Sequence, residues 1–374
     1  MPCGPAPGRV DGPPAPKRSG ISGWWWVVGV LVVLGIGGVL VVGYVSDQVR
    51  TMRVSAMGGF GGSSRTDELR EVVLRPAGTR NKIVVMDLTG IISGDPWDYM
   101  GNTLVTHVER QLERAAQDPH VKAVVVRVDS PGGEVLASDE IYQRLQAFQE
   151  RHDKPMVASM GRLAASGGYY VAAPCQWIVA HELTITGSIG VIMQGYNWRG
   201  LMDKVGVSPQ VFKSGDLKDM LSPSKREEEI TSEERRIVQD LVNETFERFK
   251  SVVEEGRGLA RARNEDNSGE ERDRGRALAR SWEDYADGRL LSGKEAWTLG
   301  MVDELGNFDT AVERARRLAG IQDARLVQYL RPMGFGSLFR LFGQGEEARV
   351  TVDLGIAMPN LRAGLYFLAP ELVR

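Results

Sequence analysis

Ser166 stands in Gly161-Arg162-Leu163-Ala164-Ala165-Ser166-Gly167-Gly168-Tyr169-Tyr170, a hydroxyl flanked by small residues just after the apolar run from Pro155 to Met160. A strand-to-helix turn of this composition packs backbone closely and lets a substrate approach, which is where an acyl-transfer nucleophile would sit. Glycine after the serine leaves the following N–H unobstructed at the positive end of a helix, where a developing oxyanion would be stabilised. An Ala-Ser-Gly-Gly run also serves plain helix packing, so the chemistry depends on partners elsewhere in the chain.

One partner is Asp129-Ser130-Pro131-Gly132-Gly133, which follows a strand ending at Val128 and precedes a helical pattern. Consecutive glycines there expose N–H groups suited to an anion or oxyanion. Sites in α/β proteins collect at the carboxyl ends of strands, so the two glycine turns and the serine are expected to be neighbours. The base is less determined. His181 is the nearest histidine but has no carboxylate placed to orient it. Lys213 and Lys218 lie in Phe212-Lys213-Ser214-Gly215-Asp216-Leu217-Lys218-Asp219-Met220-Leu221. A solvated lysine of pKa ~10.4 is neutral in only about one molecule in a few thousand at pH 7, and lowering it to ~7.5 takes burial worth about 4 kcal/mol. A lysine base must therefore be buried, and Leu217, Met220 and Leu221 beside Lys218 would help.

The elements that position these groups read as an α/β domain with a mostly parallel sheet. Lys82 to Leu88 and Val121 to Val128 are β-branched runs separated by a helical pattern through Val105, Val108, Leu112 and Ala115. Strand, helix, strand suggests a βαβ unit. The alternation continues with a helix from about Leu136 to Gln149 and a strand at Met156 to Ser159. A helix after Ser166, strands at Trp177 to Ala180 and Ser188 to Met193, and a helix at Arg199 to Lys204 follow. Thr231-Ser232-Glu233-Glu234 is a capping box that opens a long helix, with Gly256 as its expected stop. Residues 257 to 282 alternate acids and arginines and read largely as a solvated insertion; further helices run through Ala296 to Leu299 and Ala311 to Leu318. After Leu326 the chain reads as irregular, with Phe335, Leu338, Phe339, Leu341 and Phe342 forming a local apolar cluster expected to make a core or oligomer contact.

In front of this domain, residues 1–23 are a Pro- and Gly-rich basic tail, and residues 24–45 form an uncharged run from Trp24 to Val45. A helix of that length spans the ~30 Å hydrocarbon core of a bilayer. The aromatic ends fit interfacial belts, the basic tail favours a cytoplasmic N-terminus, and no Ala-x-Ala-like cleavage site follows. Residues 46–70 read as a Gly-rich tether, leaving 71–325 as the catalytic domain, with a charged insertion near 260–282, and 326–374 as a C-terminal extension. With 42% apolar and 25% charged residues the chain has ample core, and a formal net charge of −3 with no basic stripe argues against nucleic acid as a partner. Two cysteines, Cys3 and Cys175, and four scattered histidines indicate neither a disulfide framework nor a zinc site.

Five motifs in order resemble the bacterial signal peptide peptidase A family, in its short single-domain form: Asp129-Ser130-Pro131-Gly132-Gly133, Ala165-Ser166-Gly167-Gly168-Tyr169-Tyr170, Thr186-Gly187-Ser188-Ile189-Gly190, Lys213-Ser214-Gly215-Asp216-Leu217-Lys218-Asp219, and Asp287-Gly288-Arg289 with Val302-Asp303-Glu304. The resemblance covers roughly Lys82 to Leu318. It implies a Clp protease/crotonase-like fold of repeated ββα units. It also implies a Ser-Lys dyad of Ser166 and Lys218, with Ser188 holding the lysine and the N–H groups of Gly133 and Gly167 forming the oxyanion hole. No cofactor is implied. The expected protein is a membrane-anchored peptidase of the bacterial inner membrane, with its catalytic domain outside the cytoplasm and remnant signal peptides as substrates. In single-domain members the serine and lysine of one site come from adjacent subunits of a ring, so Ser166 and Lys218 of one chain should lie too far apart to bond. Two other readings share parts of the pattern: an acyl-CoA hydratase or isomerase of the related crotonase fold, and a non-catalytic membrane scaffold.

Overall fold

The computed structural model describes residues 69–96, 101–267, 273–331 and 366–368, all within one compact unit, Thr66–Arg374. The expected basic tail, the span at 24–45, most of the tether and the aromatic cluster from Phe335 to Phe342 lie outside the described residues. Among those described, no helix is long and apolar enough to cross a membrane.

In chain order the elements are β1 (Arg70–Arg75), β2 (Lys82–Thr89), α1 (Leu104–Gln117), β3 (Val121–Ser130), β4 (Gly132–Glu134), α2 (Val135–His152), β5 (Met156–Ala164) and α3 (Gly167–Ala172). They continue with β6 (Trp177–Ala180), β7 (Ile185–Gly187), α4 (Arg199–Val205), α5 (Ser232–Asn267), β8 (Leu290–Ser292), α6 (Gly293–Thr298), β9 (Glu304–Leu305), α7 (Phe308–Leu318), β10 (Arg325–Leu330) and β11 (Tyr366–Leu368). The main sheet runs β1-β10-β2-β3-β5-β6-β9. Its pairings are parallel except β1 against β10, which makes a mixed α/β fold with the βαβ connections the sequence predicts.

Successive side chains point to opposite faces of the sheet, and because both faces are covered the middles of β2 and β3 are buried without interruption. Val84, Met86 and Leu88 of β2 and Val124, Val126 and Val128 of β3 join the core under α1, α2 and α3. Ile83, Val85, Ala123 and Val125 face the other way, onto Ala311, Val312 and Ala315 of α7. The capping box at Thr231 is formed in both directions, Glu234 N–H donating to Thr231 Oγ1 at 3.2 Å and Thr231 N–H to Glu234 Oε2 at 3.0 Å.

Three expectations are corrected. The strand expected at Ser188 to Met193 is shifted to Ile185–Gly187, because Gly187 and Ser188 both take positive φ and end the extended run; beyond them Ile192 makes a single bridge to Tyr366. Gly256 does not stop the helix, which runs on to Asn267. A Cβ at Gly256 would stand 2.6 Å from the Ala173 carbonyl oxygen, so the glycine permits close packing of α5 on the end of α3, and the following residues are not all solvated. Arg257 is buried in an ion pair with Asp303, and Asn264 is buried in hydrogen bonds to Gln176. Finally, the chain after Leu326 is not irregular throughout: β10 inserts between β1 and β2, burying Leu326, Val327 and Tyr329.

Candidate active site

Ser166 is the residue between β5 and α3, and its backbone is at φ 54°, ψ −118°. For a residue with a Cβ this is a strained conformation that only surrounding structure can hold. Here the Ser166 N–H donates to the Gly187 carbonyl at 2.8 Å, and the Ser166 carbonyl accepts from the Tyr170 N–H at 2.9 Å. The side chain is wholly buried, and Oγ has no hydrogen-bond partner among the described residues. A strained residue at a strand-to-helix turn with an unpartnered hydroxyl is a geometry that would suit a nucleophile.

The glycine turns meet it, as expected. β3 runs beside β5 with Ser130 opposite Ala164, and the Ser130 carbonyl accepts from the Ala165 N–H at 3.1 Å. A Cβ on Gly167 would lie 3.1 Å from the Gly133 nitrogen, and one on Gly168 would lie 2.7 Å from the Ser130 carbonyl oxygen, so side chains are excluded where the two turns touch. Ser130 Oγ accepts from the Gly132 N–H at 3.1 Å. The Gly167 N–H has no acceptor among the described residues. Gly133 faces Phe367 across the β4–β11 ladder.

The loop carrying Ser188 is fixed from outside. Thr186 Oγ1 donates to the Ala164 carbonyl at 2.7 Å, the Ser188 N–H to the Arg289 carbonyl at 2.7 Å, and the Gly288 N–H to the Ile189 carbonyl at 3.0 Å. Asp287-Gly288-Arg289 thus earns its place among the motifs by bracing the residues behind the serine. The Arg289 guanidinium bonds Asp287 through Nε at 2.7 Å and holds its carboxyl down to about 2. The Ser188 hydroxyl bonds no described residue.

Lys218 is not brought to Ser166 within the chain. It lies exposed in a succession of turns, its side chain bonded to no other described residue, while Ser166 Oγ is buried and unpartnered. Lys213 is occupied: its Nζ donates to the Asp216 carbonyl at 2.9 Å and to both Asp219 oxygens at 3.0 and 3.1 Å. Lys225 also reaches Asp219, at 3.2 Å. The Lys213 ammonium, with that of Lys225, holds the Asp219 carboxyl below its usual range and keeps that charge engaged away from Lys218. His181 is exposed, its Nδ1 accepting from the Leu183 N–H at 3.1 Å, and no carboxylate among the described residues bonds the ring. Among the described residues no group of three or more His, Cys, Asp or Glu could hold a metal ion.

Four residues beside the site, Asp139, Tyr170, Arg248 and Phe249, were given no role from the sequence. Tyr170 donates from its hydroxyl to Asp139 at 2.5 Å, Arg248 reaches the same carboxylate at 3.1 Å, and Phe249 packs on the Tyr170 ring with centroids 4.9 Å apart. Burial, followed by the bond to Asp139, pushes the Tyr170 phenol far up, so it stays a neutral donor. The doubled tyrosine after Ser166-Gly167-Gly168 was the available signal; Asp139 and Phe249 reach it only through the packing of α2 and α5.

Comparison with known proteins places these observations in context. Residues 137–271 match the profile of peptidase family S49. A Synechocystis sp. protein provisionally named a protease is 38% identical over 243 residues, covering 65% of this chain and 76% of its own length. An Enterococcus faecium protein provisionally named signal peptide peptidase SppA is 32% identical over 316 residues, covering 82% of this chain and 83% of its own. The solved 1510-N membrane-bound stomatin-specific protease aligns over 70% of this chain and 97% of its own, at 16% identity and a TM-score of 0.40.

Proposed function

This chain belongs to peptidase family S49 and is a serine-type peptidase, and from that premise we propose that Ser166 is its nucleophile and Lys218 its general base. The observation that carries the reading is the Ser166 hydroxyl, buried, unpartnered and held in a strained turn where the Gly133 and Gly167 turns converge. The family membership also sets aside the acyl-CoA hydratase and scaffold readings.

In the proposed reaction the neutral Lys218 amine takes the Ser166 Oγ proton as the oxygen attacks the scissile carbonyl carbon. The negative charge that develops on the carbonyl oxygen is met by the Gly133 and Gly167 N–H groups. Collapse breaks the C–N bond, the lysine returns the proton to the departing amine, and an acyl-enzyme remains. Water, deprotonated by the same lysine, then releases the carboxylate and restores the serine. Ser188, with a free hydroxyl next to the Ser166–Gly187 hydrogen bond, would orient the lysine.

The lysine would come from a neighbouring subunit in a ring-like homo-oligomer. The segment around Lys218 supports this, because it exposes Leu201, Val205, Val211, Leu221 and Phe212, the last with 94% of its surface free. Several large apolar side chains exposed on one segment call for cover by another surface. Packing against a neighbour would also dehydrate Lys218, which a lysine base requires.

The finer fold reading is the Clp protease/crotonase-like arrangement, supported by the parallel β2-β3-β5-β6 sheet with its glycine turns at the strand ends. The uncharged run at residues 24–45 supports a single anchor in the bacterial cytoplasmic membrane, with the catalytic domain outside the cytoplasm. Remnant signal peptides and other apolar peptides are the proposed substrates; an anchor raises the enzyme's local concentration near such membrane-confined chains.

The test is hydrolysis of a fluorogenic apolar peptide by wild type, Ser166→Ala and Lys218→Ala. Each variant should lose activity by about a thousandfold or more, and mixed oligomers of the two should regain a measurable part of it. Full activity in Lys218→Ala would remove the lysine from the mechanism. Absence of complementation in a mixed assembly would return the dyad to a single chain.

A further inference from the structure

Lys218 stands in a stretch, from Gly206 to Arg226, that forms neither helix nor strand. A general base has to meet its proton within hydrogen-bond reach, and a misplacement of about 1 Å can cost about a hundredfold in rate. Something other than regular structure must therefore fix this loop. Lys213 closes it around Lys218: its Nζ donates to the Asp216 carbonyl at 2.9 Å, two residues before, and to both oxygens of Asp219, the residue after, at 3.0 and 3.1 Å. Lys225 takes the same Asp219 carboxylate at 3.2 Å and Glu234 Oε1 at 2.5 Å. The other Glu234 oxygen accepts the Thr231 N–H at 3.0 Å in the capping box that opens α5.

The four charges alternate in sign, and their side chains are 34, 17, 10 and 3% exposed from Lys213 through Asp219 and Lys225 to Glu234. The chain of bonds thus runs from the loop surface into the body of the domain, where cutting it leaves a desolvated charge unpaired. Backbone ties hold the far side of the loop. Asn197 Nδ2 donates to the Lys225 carbonyl at 2.8 Å and the Trp198 N–H to the Pro223 carbonyl at 2.7 Å, while Leu221 is held at φ 65°. At its other end α5 is bound to the end of α3, Arg257 Nη1 donating to the Cys175 carbonyl at 2.9 Å. The loop is referenced to the same body that carries Ser166.

We propose that Asp219 and Lys225 are positioning residues: their ion pair, closed by Lys213 on one side and Glu234 on the other, holds the loop in the geometry that presents the Lys218 amine to a serine. This rests on the reading of Lys218 as the general base. Neither residue is assigned a contact with substrate or with Ser166, so their loss should slow the chemical step and leave peptide binding nearly as it was. Supporting groups of this kind keep a reactive side chain within the narrow range in which it works.

The test measures kcat and KM for a fluorogenic apolar peptide with the full chain, together with oligomer mass by sedimentation and the melting temperature of each variant. Asp219→Ala and Lys225→Met should each lower kcat by between about tenfold and a hundredfold, with KM within about twofold of the native value. Lys225→Arg, which can still bridge both carboxylates, should keep kcat within about threefold. The double variant should be no slower than either single one, since both cut one constraint. Native kcat in Asp219→Ala and Lys225→Met overturns the proposal, and so does a change confined to KM or an equal loss in Lys225→Arg. Dissociation of the oligomer or a collapsed melting temperature in both variants also overturns it, making the network structural. Lys218→Ala is run beside them. Full activity there removes the base reading and this inference with it, whereas an inactive Lys218→Ala beside fully active Asp219→Ala and Lys225→Met counts against this inference alone.

Discussion

Ser166 donates its backbone N–H to the Gly187 carbonyl at 2.8 Å, and the residue after Gly187, Ser188, shares with Ser166 a positive φ that neither side chain favours. One hydrogen bond thus ties two strained serines together, and the strain is held by Arg289 and Thr186 on the outer side. The position between them admits little change.

Gly187 is at φ 72°, and a Cβ there would stand 2.8 Å from Leu291 Cγ and 3.1 Å from the Arg289 carbonyl oxygen. Gly187→Ala is therefore expected to destabilise the protein by about 1–3 kcal/mol and to lower peptide hydrolysis beyond what the stability loss explains. Urea midpoints together with hydrolysis rates below the unfolding transition check it.

Gly133 and Gly167 separate fold from chemistry. A Cβ at Gly133 would overlap the Ile92 carbonyl oxygen, whereas one at Gly167 would meet Ser138 Oγ at 2.8 Å and backbone no nearer than the 3.0 Å to Gly132 Cα, so the overlap at Gly167 is the smaller. Both Gly133→Ala and Gly167→Ala should reduce hydrolysis, but Gly133→Ala should also lower the melting temperature markedly. Equal melting temperatures for the two variants would contradict the packing described here.

Asp303 accepts from the buried Arg257 guanidinium and from the N–H groups of Ile178 at 2.8 Å and Arg276 at 3.1 Å. Asp303→Ala leaves a buried cation and two amides without their acceptor, and should cost about 3–5 kcal/mol. Arg257→Met, which removes the opposite charge, should also be damaging, because the buried carboxylate then keeps only the Ile178 and Arg276 N–H groups. Chemical denaturation of each variant and of the double variant measures the coupling.

His107 gives the pH dependence a direction. Burial, with the charges of Arg331 and Arg110, lowers its pKa from 6.5 to about 4, so the folded protein holds it neutral where the unfolded chain would protonate it. The folded pKa is the lower one, so this contribution to stability is full above pH 6.5 and lost progressively as pH falls toward about 4. Denaturation between pH 7 and pH 4 should show a smaller loss in His107→Gln than in the native chain.

What the sequence determined was local and periodic. Consecutive β-branched residues in Lys82–Thr89 and Val121–Ser130 specify strands buried on both sides, because each face of the sheet needs its own apolar set. Thr231 and Glu234 mark a helix start through two reciprocal bonds. Ser166 and its glycines stood out as a candidate because a serine at a tight strand-to-helix turn restricts the residue types around it. What the tertiary structure decided was long-range. Whether Gly256 ends a helix or lets it pass depended on Ala173, and whether Arg257 is solvated depended on Asp303. The insertion of β10 between β1 and β2, and the seating of Phe367 on Tyr170, join residues with no periodic relation to one another. Periodicity reports which face of an element is buried; it does not say which distant segment buries it.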